Sequence, residues 1–281
     1  MGWLSNGLKN LFKNKKIETN FDKYNIETSS ILEIDSHPGI KTEVSKTISN
    51  NLQLSAISIL NSDKFIRNLF CTFCTTNSLF QFSFDQNMNL QLQGTHLYKR
   101  ICTKFNTVYS EDKNIFSQIN VEMNNKLNNL CLKLIKPAIK GASYIYIFNY
   151  MQQLGNATIG AEIISSESYC SLSFAGRYKK GNSIGSVGLQ HLNTLSVDFY
   201  RKISDFLEIG VSSSVSRDKT YSYGLGCKMN TARSEVKVNI DNSKKLKFGL
   251  VDKLSEEMSV NLNCEVGKRD FTYGYGLNYY F

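Results

Sequence analysis

The chain has 281 residues, 41% of them hydrophobic and 20% charged, with only 2 prolines, which excludes a disordered or collagen-like polymer. Its 33 Lys and Arg against 24 Asp and Glu give a net charge of +9, which by itself fits nucleic acid, anionic lipid or simple solubility equally. The longest strictly apolar run is Tyr144–Phe148, far from the ~18 to 20 residues of a spanning helix, so a helical membrane protein is excluded and a membrane barrel is not.

At the N-terminus, Met1–Lys16 has no uninterrupted apolar core of the kind a secretory signal needs. Trp3, Leu4, Leu8, Leu11 and Phe12 fall on one face of a helix, and Lys9, Lys13 and Lys16 on the other. Such a helix could lie on a membrane, line a pore or pack on a domain. Asn6 stands where a myristoylation motif wants Ser or Thr, so Gly2 is not expected to be acylated. Residues 1–36 read as this amphipathic helix and a lead-in segment, and 37–281 as one β domain.

From about His37 onward the sequence alternates with period two. Phe80, Phe82 and Phe84 oppose Gln81, Ser83 and Asp85; Leu90 and Leu92 oppose Gln91 and Gln93. The pattern continues through Ile119–Met123, Leu130–Leu134, Tyr144–Tyr150, Leu195–Phe199, Tyr221–Cys227, Val236–Ile240 and Met258–Val266. Strands with one apolar face give this signature. Polar stretches at Ser110–Asn114, Arg217–Lys219, Asn242–Lys245 and Gly267–Asp270 suit hairpin turns. About nineteen runs can be placed, with a pitch that suits strands of ~9 to 11 residues spanning a bilayer. No long helical segment interrupts them, so parallel α/β architectures are excluded.

A soluble sandwich and a transmembrane barrel share this alternation. Three features favour the barrel: almost no mid-strand charge on the apolar parities, Arg201 standing at a strand end; Tyr and Phe near run ends, where interfacial girdles form; and an opposite face of Ser, Thr, Asn, Gln and Gly. The closing run is the most specific. Phe271, Tyr273, Tyr275, Leu277, Tyr279 and Phe281 share one face. Thr272, Gly274, Leu277 and Tyr279 also fit a polar-x-Gly-x-x-hydrophobic-x-hydrophobic pattern, an expected signal for outer-membrane assembly machinery of mitochondria.

Seven scattered cysteines, with one C-x-x-C at Cys71 and Cys74, do not make a zinc site, and on a strand that pair would face opposite ways. His37, His96 and His191 form no Ser/His/Asp or metal-type cluster, so no enzyme, cofactor or metal is expected. By parity Glu43, Glu122, Glu162, Asp198, Glu208, Glu235 and Glu265 face the polar side, with Lys41, Lys104, Lys133, Arg233 and Lys237. Weakly binding carboxylates on that side would suit the passage of a basic solute, with Glu162, Asp198 and Glu208 at the centre of its path. The bland alternative is a set of hydrated wall residues in cross-strand pairs.

The stretches HPGIKTEVSKTISNNLQLSAISIL (37–60), YIFNYMQQLGNATIGAEI (146–163), SFAGRYKKGNSIGSVGLQ (173–190) and VDFYRKISDFLEIGVS (197–212) resemble the channel-forming subunit of the translocase of the mitochondrial outer membrane, the TOM complex, within the eukaryotic porin superfamily. The resemblance runs over most of 37–281. It implies a closed, all-β barrel of about 19 strands, mostly antiparallel with a parallel pairing of first and last strands, and a short N-terminal helix inside the pore. It implies conduction of unfolded precursor proteins with basic presequences across the outer membrane of a mitochondrion or a reduced relative such as a mitosome. Its implied partners are membrane lipid, small single-helix translocase subunits, import receptors and a second copy of the chain, with no nucleic acid. The leader here is shorter than in many members and the chain stops on its closing run, so contacts made by such extensions are not expected. A voltage-dependent anion channel-type metabolite pore is the rival reading, and a soluble β-barrel binding an apolar ligand a more distant one.

Overall fold

The computed structural model describes residues 20–35, 37–61, 65–111, 114–139, 141–268 and 270–281. Trp3, Leu4, Leu8, Leu11 and Phe12 lie outside the described residues. The described chain opens with a 3-10 helix, Phe21–Lys23, and one α-helix, α1, Ile26–Leu32. Nineteen strands follow. They are β1 Gly39–Ser49, β2 Leu52–Leu60, β3 Phe65–Cys74, β4 Ser78–Asp85, β5 Leu90–Tyr98, β6 Ile101–Tyr109 and β7 Ile115–Asn124. Then come β8 Asn128–Lys136, β9 Ile145–Leu154, β10 Ala157–Ser166, β11 Tyr169–Lys180, β12 Ser183–Gln190 and β13 Thr194–Lys202. The last six are β14 Leu207–Ser216, β15 Tyr221–Asn230, β16 Ser234–Asp241, β17 Leu246–Lys253, β18 Met258–Val266 and β19 Phe271–Tyr280. The four expected turn stretches all fall between strands.

Each strand pairs antiparallel with the next, and β1 pairs parallel with β19 from Gly39 opposite Gly274 to Ser45 opposite Tyr280. The parallel seam follows from an odd strand number: in an up-and-down ring the first and last strands run the same way. The Thr47 amide donates to the Phe281 carbonyl and the Phe281 amide to the Ser45 carbonyl, each at 2.9 Å, so the last residue also belongs to the closure. A closed ring leaves no unpaired strand edge, the condition for crossing hydrocarbon.

The pleat sorts side chains into two faces. Outward stand Phe82, Phe84, Leu132, Phe148, Ile163, Phe174, Val197, Phe199, Leu225, Tyr273 and Tyr275, all exposed. On β19, neighbouring outward rings touch: Phe271 and Tyr273 are tilted, and Tyr273 and Tyr275 meet edge to face, each at 5.8 Å between centroids. Two details depart from the sequence reading. Lys46 and Arg67 share the outward parity, with Lys46 over the Phe281 ring (5.0 Å) and Arg67 over the Phe65 ring (4.4 Å). Both stand within three residues of a strand end, where a long basic side chain can reach the interface. The inner face is also less uniformly polar than expected: β2, β3 and β4 carry apolar residues on both parities, and the register turns Ile57, Ile59, Ile66, Phe70 and Leu79 inward.

The short N-terminal helix inside the pore is present as α1, but it lies in what read as the lead-in and not at Trp3–Phe12: Phe21, Tyr24, Thr28 and Ile31 are buried, spaced three, four and three apart. That stripe is the period-3.6 signal that was available in the sequence. A seven-residue helix is marginal alone. It holds because its stripe docks on the inner wall.

Candidate functional site

The segment from Asn20 to His37 crosses the inner wall from β8 to β19. At its start Asp22 pairs with Lys133 of β8, and Phe21 packs with Tyr24, Met151 and Ala175. At its end His37 Nδ1 meets Asn263 Nδ2 and its Nε2 meets the Tyr275 carbonyl, both at 3.2 Å. So short a segment can touch that many strands only from the concave side.

The wall makes room with glycine. A Cβ at Gly160 would lie 3.2 Å from Phe21 Cδ2, and one at Gly210 3.3 Å from Ile31 Cδ1. At Gly226 it would lie 3.0 Å from both Ile31 and Leu32, at Gly249 2.8 Å from Ile34, and at Gly188 2.7 Å from Tyr24 Cζ. Gly224, Gly226 and Gly274 thus belong to a bed for the chain's own segment, whereas Gly276 faces Asn261 of the wall.

Polar contacts fix the segment's position. Arg177 of β11 donates Nη2 to Glu27 Oε1 at 2.5 Å, and Asn25 Nδ2 donates to Asp198 Oδ2 at 3.2 Å. Ser186 Oγ donates to the Tyr24 carbonyl at 3.1 Å, and the Tyr24 hydroxyl shares a 2.7 Å bond with Ser196 Oγ. Asn239 donates to the Leu32 carbonyl, and Lys41 pairs with Asp35 at 3.1 Å. Burial raises the Tyr24 phenol above its ordinary 10.0, opposed by the bond to Ser196.

All seven carboxylates placed inward by parity are inward by register, but they are not equivalent. Glu122 pairs with Lys104 (2.6 Å), Glu235 with Lys228 (2.9 Å) and Lys237 (3.5 Å), and Glu265 with Lys245 (2.7 Å). Among the described residues Glu43, Glu162, Asp198 and Glu208 are in no such pair. Glu162 accepts from Asn149 Nδ2 at 3.1 Å. Glu208 stands opposite Lys202 and Lys228 by register, and both lysines pair elsewhere, with Asp205 and Glu235. Asp198 lies under the segment and is 2% exposed. Arg233, expected on the wall, sits in the turn before β16.

The C-terminal pattern residues divide by face. Thr272 and Gly274 point inward; Leu277 and Tyr279 point outward. Cys71 and Cys74 of β3 lie on opposite faces as free thiols. Sequence reasoning missed Arg177, Ser186 and Ser196, whose importance comes only from the segment above them.

What this arrangement offers is a lined passage rather than a reaction centre: a hydrogen-bonded ring, a greasy exterior and a charged inner wall. Two variants of the Rhodopseudomonas blastica porin align at 10% identity over 80% of this chain and 90% of theirs, with a TM-score of 0.43, a likeness that carries no argument. No curated protein matches the chain. The family model of the eukaryotic porins matches residues 19–276, which takes in the inner segment and nearly the whole barrel, so this chain belongs to the eukaryotic porin family, channel-forming β-barrels that cross an outer membrane many times.

Proposed function

We propose that the protein is the polypeptide-conducting channel of a mitochondrial or mitosomal outer membrane, the TOM channel subunit, and that unfolded precursors with basic presequences pass through its lumen. The observation that carries this reading is the group of inward carboxylates left without a cation among the described residues: Glu43, Glu162 and Glu208, while the fourth, Asp198, is covered by the docked inner segment. A mixed wall with a few unneutralised acids offers a basic segment several weak sites, favourable enough to enter and weak enough to leave. The four sequence stretches that resemble the channel subunit point the same way. On this reading Thr272, Gly274, Leu277 and Tyr279 serve assembly, and single-helix subunits, receptors, lipid and a second copy meet the outer wall.

A metabolite pore of the voltage-dependent anion channel type is the second reading. It is favoured by the inward Lys41, Lys104, Lys133, Arg177, Lys202, Lys228, Lys237, Lys247 and Lys253, which outnumber the seven inward carboxylates expected from parity. Single-channel recording after reconstitution separates the two. Block by a basic presequence peptide is expected. Marked anion preference without block would turn the assignment to the metabolite pore. If joint neutralisation of Glu162, Asp198 and Glu208 leaves the block unchanged, those residues are not the path.

A further inference from the structure

Among the described residues, every strand glycine but two has an atom within 4 Å of where a Cβ would stand; the exceptions are Gly176 of β11 and Gly185 of β12. Ala175, Arg177, Ile184 and Ser186 beside them are buried on the inner wall, so both glycines face outward. Neither has a positive φ, so the backbone does not ask for glycine at either place. Glycine inside a strand weakens it, and marks a point of close approach by something else. Outward Gly94 shows how the chain fills such a gap itself: the ring of Phe105, its cross-strand partner, lies over it. Gly176 and Gly185 lie open.

Together they make a trench on the outer wall. The register sets Gly185 between Tyr178 and Phe199, and Gly176 between Ile159 and Val187, all four exposed. The two glycines are diagonal neighbours, roughly 7–8 Å apart. Tyr178 and Phe199 stand two strand spacings apart, roughly 9.5 Å between Cα atoms. A helix, about 10–12 Å across, is too wide to enter between those rings, whereas a single hydrocarbon chain fits. One row nearer the strand ends, Ser183 lies between Lys180 and Arg201, its register partners on either side. Both cations share the outward parity and are exposed. Lys46 and Arg67 each cover an aromatic ring, but Lys180 and Arg201 have no ion pair, side-chain hydrogen bond or ring contact among the described residues. Asp205, in the turn after β13, is taken by Lys202 at 2.8 Å.

We propose that this is a seat for one anionic phospholipid, with its phosphate between Lys180 and Arg201 over the Ser183 hydroxyl and one acyl chain laid along Gly185 and Gly176. The phosphate stands one strand spacing from each cation's backbone, a step that either long side chain covers. Ammonium and guanidinium both hold phosphate by charge-assisted hydrogen bonds. Two cations without a protein counter-charge favour an anionic headgroup over a zwitterionic one. The seat uses only the outer wall, so it holds for either solute of the pore.

Trp3 is the chain's one tryptophan. In a Trp3→Phe background, Leu189→Trp puts a reporter in the outward row below Gly176, and Leu92→Trp puts a reference on β5. Each stands six residues from its strand's end at the same rim, Leu189 from Ser183 and Leu92 from Tyr98. The full chain is reconstituted in phosphatidylcholine vesicles with a minor fraction of brominated phosphatidylglycerol. Quenching is expected to be stronger at 189 than at 92, and brominated phosphatidylcholine is expected to quench both alike. Lys180→Gln and Arg201→Gln should each weaken the apparent affinity for the anionic lipid at 189 about fivefold. Gly185→Leu keeps both cations, fills the trench, and should abolish the difference between the reporters. Equal quenching of the two reporters by the anionic lipid overturns the proposal. So does a preference that survives Gly185→Leu, which would show diffuse surface attraction only. Weaker quenching at 189 than at 92 by both lipids would mean that a second copy covers the trench, and overturns it too. Should Gly185→Leu fail to insert, Gly185→Ala adds a methyl that meets no atom of the chain: partial loss of the preference supports the seat, and no loss overturns it.

Discussion

Tyr24 and Ser196, 172 residues apart in the chain, share a 2.7 Å hydrogen bond across a gap that exists because residue 188 is glycine. A Cβ at Gly188 would also lie 2.8 Å from Ser196 Oγ, so neither partner has room to move aside. Gly188→Val is therefore expected to evict the ring, at a cost of about 1–3 kcal/mol if the segment is forced to stay. Among the described residues its holds on the wall are non-covalent up to the entry into β1, so it should leave instead. Amide exchange in α1 should rise while β11–β13 stay protected. Loss of strand protection with α1 unchanged would contradict this.

Alkali should act on the same contact. Burial holds the Tyr24 phenol above its ordinary 10.0, so docking favours the protonated ring. Its contribution is complete below pH 10 and is lost as pH rises through the raised value. Exchange of α1 should accelerate in that window, beyond the intrinsic rise measured on the strands. Tyr24→Phe, which has no proton to lose, should remove the extra acceleration.

Which face meets hydrocarbon can be read from paired arginine substitutions. Val197 points outward at mid-strand and is 49% exposed; Ser214 points inward on the neighbouring strand. Val197→Arg should cost about 2–4 kcal/mol in chemical denaturation from vesicles, and Ser214→Arg far less. Equal costs would mean that the outward residues do not face lipid.

The seam depends on another close approach. A Cβ at Gly274 would fall against the His37 carbonyl and 2.8 Å from Asn263 Oδ1. Gly274→Val should push the chain entering β1 off the wall. The expected result is loss of amide protection in β1 and β19 with β3–β17 retained, and faster unfolding on unheated gels. Full seam protection in the variant would show that the approach is relieved at little cost.

Much of the barrel was legible because its signal is local. A pleated backbone alternates side chains whatever its neighbours are, so Phe80-Gln81-Phe82 announces a strand before any pairing is known. The turns at Ser110–Asn114 and Asn242–Lys245 were readable for the same reason. The inward placement of Glu162 and Asp198 followed from parity alone. Their difference did not: one accepts from Asn149 on the wall, and the other lies beneath Asn25.

The amino-acid pattern alone therefore determined an all-β chain whose strands each carry one apolar and one polar face, since period two is a property of each strand by itself. Only the tertiary structure decided that residues 20–35 and His37 lie along the inner wall, that its glycines are clearance for Phe21, Ile31 and Ile34, and that Arg177 pairs with Glu27. Those relations join positions far apart in the chain, Glu27 and Arg177 by 150 residues and Asn25 and Asp198 by 173. They depend on how far each strand is staggered before the ring closes, a quantity summed over all nineteen strands and written in none of them.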